Sequence, residues 1–183
     1  MSSNYLPTDY QTFIATSRYA RWIEDKGRRE TWSETVQRYT DYLHSKGINL
    51  TGQDWDDIEG AILELEVMPS MRALMTAGPA ADRDNTCIYN CSYVAVDHPR
   101  AFDEAMFILL CGTGVGFSVE RQAISQLPEI PASLANSDDL IVVQDSKEGW
   151  AKSLRKLISH LYTGDIPKWD LSKVRPAGSR LKT

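Results

Sequence analysis

The residues of this sequence with the most distinctive chemistry are three cysteines, Cys87, Cys91 and Cys111. A zinc site would require four cysteine or histidine ligands, usually in C-x-x-C pairs, and no such pair occurs, so we predict no metal ligand. A disulfide between Cys87 and Cys91 is disfavoured, because extended chain separates their Cα atoms by ~13 Å and a disulfide requires ~7 Å or less. Cys111 lies in an apolar stripe typical of a buried cysteine. Cys91 opens a β-rich run, which makes it the candidate reactive thiol.

A glycine-rich run, GTGVG at 112–116, is the second candidate for chemistry. It lacks the G-x-G-x-x-G spacing of a dinucleotide-binding turn, and no Gly-Lys-Ser/Thr follows it as in a P-loop. Three glycines in five residues allow a ligand to approach the backbone closely. The alternative is an ordinary tight turn between a helix and a strand, and the run alone does not decide between them.

The elements that would position these residues begin with three predicted helices. The first covers residues 8–23. Thr31 and Glu34 form a capping box that opens the second, which Gly47 ends. The third begins after Thr51.

The middle of the chain has the pattern of an α/β unit. A strand at 92–96 precedes a helix that starts near Pro99, and a turn at 112–116 leads into a strand at 117–119. The predicted buried stripe of that helix comprises Phe102, Ala105, Met106, Leu109 and Leu110.

The pattern is less regular after this unit. Residues 126–139 are rich in Pro, Ala and Ser and predict a mobile loop. A short strand at 140–143 follows, and a capping box at Asp145–Glu148 opens another helix.

Composition excludes several classes of protein. The chain has 183 residues, 42% of them hydrophobic, and a formal net charge of -5, which disfavours a nucleic-acid partner. Its longest apolar run, at 105–111, is far shorter than the ~20 residues of a membrane span. The N-terminus lacks the features of a secretory signal. The odd cysteine count is typical of reduced thiols, so we predict a cytoplasmic globular protein with no membrane partner.

Six segments, taken together, resemble the class II, adenosylcobalamin-dependent ribonucleotide reductases, in particular their monomeric branch that reduces ribonucleoside triphosphates. They occur in the family's order, whereas the helical first third matches only loosely. The segments are MPSMRAL at 68–74, NCSYVA at 90–95, GTGVGFSV at 112–119, ISQLP at 124–128, DSKEGW at 145–150 and DLSKVRP at 170–176.

The resemblance implies a role for Cys91 as one of two thiols that reduce the ribose. It implies adenosylcobalamin as cofactor, thiyl-radical chemistry, and a thioredoxin-type reductant as partner. The radical cysteine and the second reducing cysteine belong to an Asn-x-Cys-x-Glu segment of the family that does not occur here. We therefore expect an N-terminal portion of a longer enzyme that needs its C-terminal remainder as partner and is inactive alone.

The resemblance also implies binding residues. Ser70, Asn90, Gly114 and Gly116 are the candidates for contact with the ribonucleotide substrate. A deoxynucleoside triphosphate effector would bind along the helix near residues 99–110, with candidates Phe102, Asp103 and Met106.

The fold class implied is mixed α/β. We expect a helical region over residues 1–67, and over residues 68–183 the first strands and helices of a truncated ten-stranded α/β barrel, including the effector-binding helix. Two other functions stay open from the residues: a non-catalytic module that binds deoxynucleotides, and a small thiol-redox protein that uses Cys87 and Cys91.

Overall fold

The computed structural model describes residues 6–179. The chain divides into two compact units, Met1–Tyr89 and Asn90–Thr183. The predicted boundary after residue 67 refers to the domains of the resembled family and stays a prediction. In the described residues, no helix is long and apolar enough to cross a membrane.

The first unit consists of short helices and one small antiparallel hairpin. Its elements are α1 (Asp9–Ile14), a π-helical turn (Ala15–Tyr19), β1 (Trp22–Ile23), a 3₁₀ turn (Glu24–Lys26), β2 (Arg28–Arg29), α2 (Trp32–Ser45), α3 (Gly52–Leu63), α4 (Met71–Thr76), α5 (Pro79–Arg83) and a second 3₁₀ turn (Asn85–Ile88).

Capping boxes start both longer helices of this unit, at the two helix starts that the sequence predicts. The Thr31 side chain accepts from the Glu34 amide at 3.2 Å, and the Glu34 carboxylate accepts from the Thr31 amide at 2.8 Å. Thr51 and Asp54 repeat the arrangement at α3. Each box satisfies backbone N–H groups that a helix start leaves without partners. The predicted stop at Gly47 is confirmed, since α2 ends at Ser45 and Gly47 has a φ of 75°.

The predicted single helix over residues 8–23 is wrong in its last four residues. The helical turns end at Tyr19, and Trp22–Ile23 pairs antiparallel with Arg28–Arg29. The reason is a local pairing around Arg21. Its amide donates to the Glu30 carboxylate at 3.0 Å, and its carbonyl accepts from the Glu30 amide at 2.8 Å, so this backbone bonds outside a helix.

The described part of the first unit contains an apolar core and a buried ion pair. Trp32, Val36, Ile62 and Leu74 are buried together, each side chain contributing about 1.5–3 kcal/mol if fully buried. Beside them, Arg38 donates to both oxygens of Glu30, from Nε at 2.8 Å and from Nη2 at 3.0 Å. Arg38 Nη1 also donates to the Leu74 carbonyl at 2.9 Å, which ties α2 to α4.

The second unit contains two parallel strand pairs, each joined by a helix. Its elements are β3 (Cys91–Ala95), α6 (Ala101–Leu110), β4 (Gly114–Ser118), α7 (Arg121–Ile124), β5 (Ala135–Val142), α8 (Lys147–Thr163) and β6 (Asp165–Asp170). β3 pairs with β4 and β5 pairs with β6. The predicted order of strand, helix and strand is therefore confirmed, and a second unit of the same kind follows it.

Local assignments in this unit differ from the prediction in three places. Gly114–Gly116 belongs to β4, and only Gly112, with a φ of 86°, and Thr113 form the turn. β5 begins at Ala135 inside the predicted loop, because it pairs with β6 rather than following a local apolar pattern. The cap of α8 is Ser146, one residue later than predicted, and its hydroxyl accepts from the Gly149 amide at 3.0 Å.

The predicted buried stripe of α6 is also wrong at three positions. Phe102, Leu109 and Leu110 are exposed, whereas Ala101 and Asp103 are the buried residues of this helix. The side of α6 that packs against α8 is the buried one. An aspartate can be buried there because it has a cationic partner.

Candidate functional site

Cys91 is the first residue of β3 and carries an exposed, free thiol. The other two cysteines, Cys87 and Cys111, are free and buried. Thiol reactivity depends on access as well as on ionisation, so Cys91 is the thiol that solvent and ligands can reach. The alternative of a thiol-redox protein that uses Cys87 and Cys91 gains no support, because one of the two thiols is buried and the other is exposed.

Two glycines lie beside Cys91 on the neighbouring strand. In the parallel register, Cys91 is the partner of Gly114, and Tyr93 is the partner of Gly116. Alternate residues of a strand share a face, and registered partners on adjacent strands point to the same side. Cys91, Tyr93, Gly114 and Gly116 thus form one surface, which we call the glycine floor. All four residues are exposed.

Neither backbone conformation nor packing requires glycine at these two positions. Neither Gly114 nor Gly116 has a positive φ. A Cβ atom on Gly114 would lie 3.4 Å from the Asn90 carbonyl oxygen, and one on Gly116 would lie 3.7 Å from the Ser92 carbonyl oxygen. What glycine provides here is a bare backbone, which lets a ligand approach beside the Cys91 thiol.

Hydrogen bonds fix the floor at its Cys91 end. The Gly114 amide donates to the Asn90 carbonyl at 2.9 Å, and the Ser92 hydroxyl donates to the Gly114 carbonyl at 3.1 Å. The structure therefore brings three of the predicted substrate residues, Asn90, Gly114 and Gly116, together with Cys91. Ser70 belongs to the first unit, where it is the exposed N-cap of α4, and its substrate role stays a prediction.

The three predicted effector residues have different environments on α6. Phe102 is exposed and Met106 is half-buried. Asp103 is buried, and Arg155 of α8 donates to its Oδ2 from Nε at 2.9 Å and from Nη2 at 2.6 Å. This bonding raises the pKa of Arg155 above its ordinary value. Asp103 thus joins α6 to α8, and an effector role for the three residues stays a prediction.

A second polar contact joins the other end of α6 to α8. Lys147 Nζ lies 3.4 Å from the Cys111 sulfur and 5.9 Å from the centre of the Phe107 ring. Cys111 directly precedes the turn into β4. The two contacts hold α6 against α8 at both ends and so fix the strand that carries Gly114 and Gly116. Sequence reasoning assigned Lys147 and Arg155 no such role, because each partner is distant in sequence.

The comparison with solved structures matches the fold to a known enzyme. The chain superposes on a B12-dependent, class II ribonucleotide reductase with a TM-score of 0.79 and 22% sequence identity, covering 93% of this chain and 33% of that one. This chain has the fold of part of a class II ribonucleotide reductase. The predicted mixed α/β class is confirmed.

Sequence comparisons point to the same enzymes. A protein of Lactobacillus delbrueckii subsp. bulgaricus named adenosylcobalamin-dependent ribonucleoside-triphosphate reductase is 28% identical over 170 residues, which cover 75% of this chain and 22% of that protein. A protein of the same name from Lacticaseibacillus paracasei is 25% identical over 238 residues, covering 89% of this chain and 31% of the relative. No family model matches. The resemblance to class II ribonucleotide reductases is confirmed.

The chain spans less than a third of these curated relatives, 22% of one and 31% of the other. What it shares with a class II ribonucleotide reductase is therefore only a portion of that enzyme. The relatives are named for adenosylcobalamin and the solved neighbour for B12.

Between residues 6 and 179, no three His, Cys, Asp or Glu side chains group so that they could hold a metal ion. His44 lies on α2, His98 in the loop between β3 and α6, and His160 on α8. We assign no residue of this chain to cobalamin.

Proposed function

We propose that this chain is the N-terminal part of a cobalamin-dependent ribonucleotide reductase that converts ribonucleoside triphosphates to 2′-deoxyribonucleotides by thiyl-radical chemistry. Cys91 is one of its two reducing thiols. The observation that carries this proposal is the exposed Cys91 thiol at the edge of a bare glycine floor, in a fold shared with a class II reductase.

The chemistry explains why such a thiol is needed. Replacing the 2′-hydroxyl by hydrogen breaks the C2′–O bond, forms a C2′–H bond and releases the oxygen as water. The change consumes two electrons and two protons, and two thiols supply both when they close to a disulfide. Cys91 provides one of the two sulfur atoms. The other belongs to the family's Asn-x-Cys-x-Glu segment, which this chain lacks, so the chain alone has no reductase activity.

The surroundings of Cys91 suit a nucleotide substrate. The glycine floor allows the ribose to lie against backbone, and Asn90 adjoins the thiol. Exposure of Cys91 also lets a thioredoxin-type protein reach a disulfide formed there. We assign the initiating radical to adenosylcobalamin in the complete enzyme and derive no step of this chain through it.

The α6 helix is the proposed place of regulation. Phe102 and Met106 offer an exposed and a half-buried side chain to a deoxynucleoside triphosphate, and Asp103 holds the helix to α8. Because α6 leads directly into β4, an effector on this helix would act on the strand that bears Gly114 and Gly116.

A cysteine substitution tests the proposal. In the complete reductase that contains this chain, Cys91→Ser removes one sulfur of the reducing pair, and we expect multiple turnover with a thioredoxin system to be abolished. Cys87→Ala is the matched control, since it removes a buried free thiol and should retain turnover. Normal turnover of Cys91→Ser would overturn the role given to Cys91.

A further inference from the structure

The glycine floor has an aromatic boundary. Tyr93 lies two residues after Cys91 on the same face of β3, which places their Cα atoms ~7 Å apart along the strand. Its partner across the strands is Gly116, and the Tyr93 residue is 68% exposed. The large ring of Tyr93 thus lies next to glycine backbone, two residues along the strand from the Cys91 thiol.

The Tyr93 ring has no partner of its own in the structure. Within residues 6–179, no other ring stacks on Tyr93 and its hydroxyl makes no hydrogen bond. A Cβ at Gly116 would have only an ordinary contact, with Ser92 oxygen at 3.7 Å, so packing does not explain why a small residue lies opposite the ring. One face of Tyr93 is free to take a flat ligand.

We propose that Tyr93 stacks on the base of the ribonucleotide, an inference that rests on the proposed function of Cys91. If the Cys91 sulfur serves C2′, the base is attached to the adjacent carbon, C1′, and the phosphates leave the sugar from its other side. Tyr93 places a flat aromatic ring two residues from the thiol. Its distance from the sulfur suits the position of the base, and its π-face suits the chemistry of the base.

Stacking determines how selective this base subsite is. Every nucleobase has a π-face, so an aromatic side chain binds all of them with little selection, at about 1–3 kcal/mol per base. Gly114 and Gly116 have no side chains, so neither can recognise a particular base through a side-chain hydrogen bond to its edge. Tyr93 is therefore a positioning residue that holds the base without choosing it.

Protection of Cys91 from alkylation tests the inference in the complete reductase. Because Cys91 is exposed, the alkylation of its peptide can be followed by mass spectrometry while ATP, CTP, GTP or UTP is titrated. Tyr93→Leu keeps an apolar side chain without a π-face, and we expect it to raise the half-protecting concentration roughly tenfold for all four nucleotides. Tyr93→Phe should match the wild type, as should the control Tyr10→Leu, at another exposed tyrosine, which is 73% exposed.

The kinetic readout separates stacking from a structural role. Tyr93→Leu should raise KM with little change in kcat, because stacking holds substrate and transition state equally. Equal protection of Cys91 in Tyr93→Leu and the wild type would overturn the role of Tyr93. An equally large loss of protection in Tyr93→Phe as in Tyr93→Leu would overturn it as well. If no nucleotide protects Cys91 in the wild-type enzyme, the proposed function itself fails.

Discussion

At the scale of single residues, the proposed chemistry depends on which side chains are accessible and which are paired. The Cys91 thiol is exposed and lies beside backbone without side chains, whereas the Cys111 sulfur is buried next to an ammonium group. Asp103, unlike Cys91, is buried. Its carboxylate is buried against one guanidinium, and its Oδ1 has no hydrogen-bond partner in the part of the chain that the structure describes.

Loss of the partner of Asp103 should therefore destabilise the protein. Arg155→Met leaves a buried carboxylate without a cation, and we expect a loss of about 3 kcal/mol in the free energy of unfolding near neutral pH. The matched control is Arg100→Met, which breaks the exposed Arg100–Glu104 pair at 3.5 Å and should cost about 0.5 kcal/mol or less. Denaturant unfolding of both variants measures the difference, and equal losses would contradict the structural role of the pair.

At the scale of elements, glycines have opposite roles in two helices. A Cβ atom on Gly149, in the first turn of α8, would lie 2.3 Å from the Gln144 carbonyl oxygen. Gly60, inside α3, has no atom within 4 Å of the same position. The first glycine is required by close packing of the helix start on the preceding backbone, and the second is not.

Alanine at these two positions should change stability in opposite directions. Gly149→Ala forces backbone apart and should lower the free energy of unfolding by about 1–3 kcal/mol. Gly60→Ala meets no obstacle and should raise it by up to about 1 kcal/mol, because alanine favours helix. Thermal unfolding of the two variants measures both effects. A stabilised Gly149→Ala would show that α8 does not pack on Gln144 as described.

The elements also show what local sequence can predict. The starts of α2 and α3 were predictable because a capping box lies within four residues, at Thr31 and at Thr51. The strand character of Gly114–Gly116 was not, since it depends on pairing with β3 across a whole helix. Likewise, a polar segment such as Ala135–Val142 forms a strand because β6 pairs with it.

The same distinction applies to the site. Cys91, Asn90, Gly114 and Gly116 could be selected from motifs, but their common face follows from a parallel register that no local pattern contains. The burial of Asp103 could not be predicted either, because its partner Arg155 lies on another helix.

At the scale of the whole molecule, the described chain contains two parallel sheets of two strands each. Parallel sheets in proteins usually have both faces covered by other structure. Here Phe117, Leu140 and Trp169 are exposed on these strands. Such exposure agrees with the proposal that the reductase portion works together with further chain, as does a coverage of 33% of the solved neighbour.

The central claim is that the sulfur of Cys91 is oxidised as the ribose is reduced. The direct measurement uses the complete reductase, fully reduced and then freed of external reductant, with Cys91-containing peptides followed by mass spectrometry during a single turnover. We expect Cys91 to become disulfide-linked in proportion to the deoxyribonucleotide formed, while Cys87 and Cys111 stay free thiols. Deoxyribonucleotide formed while Cys91 remains a free thiol would contradict the account.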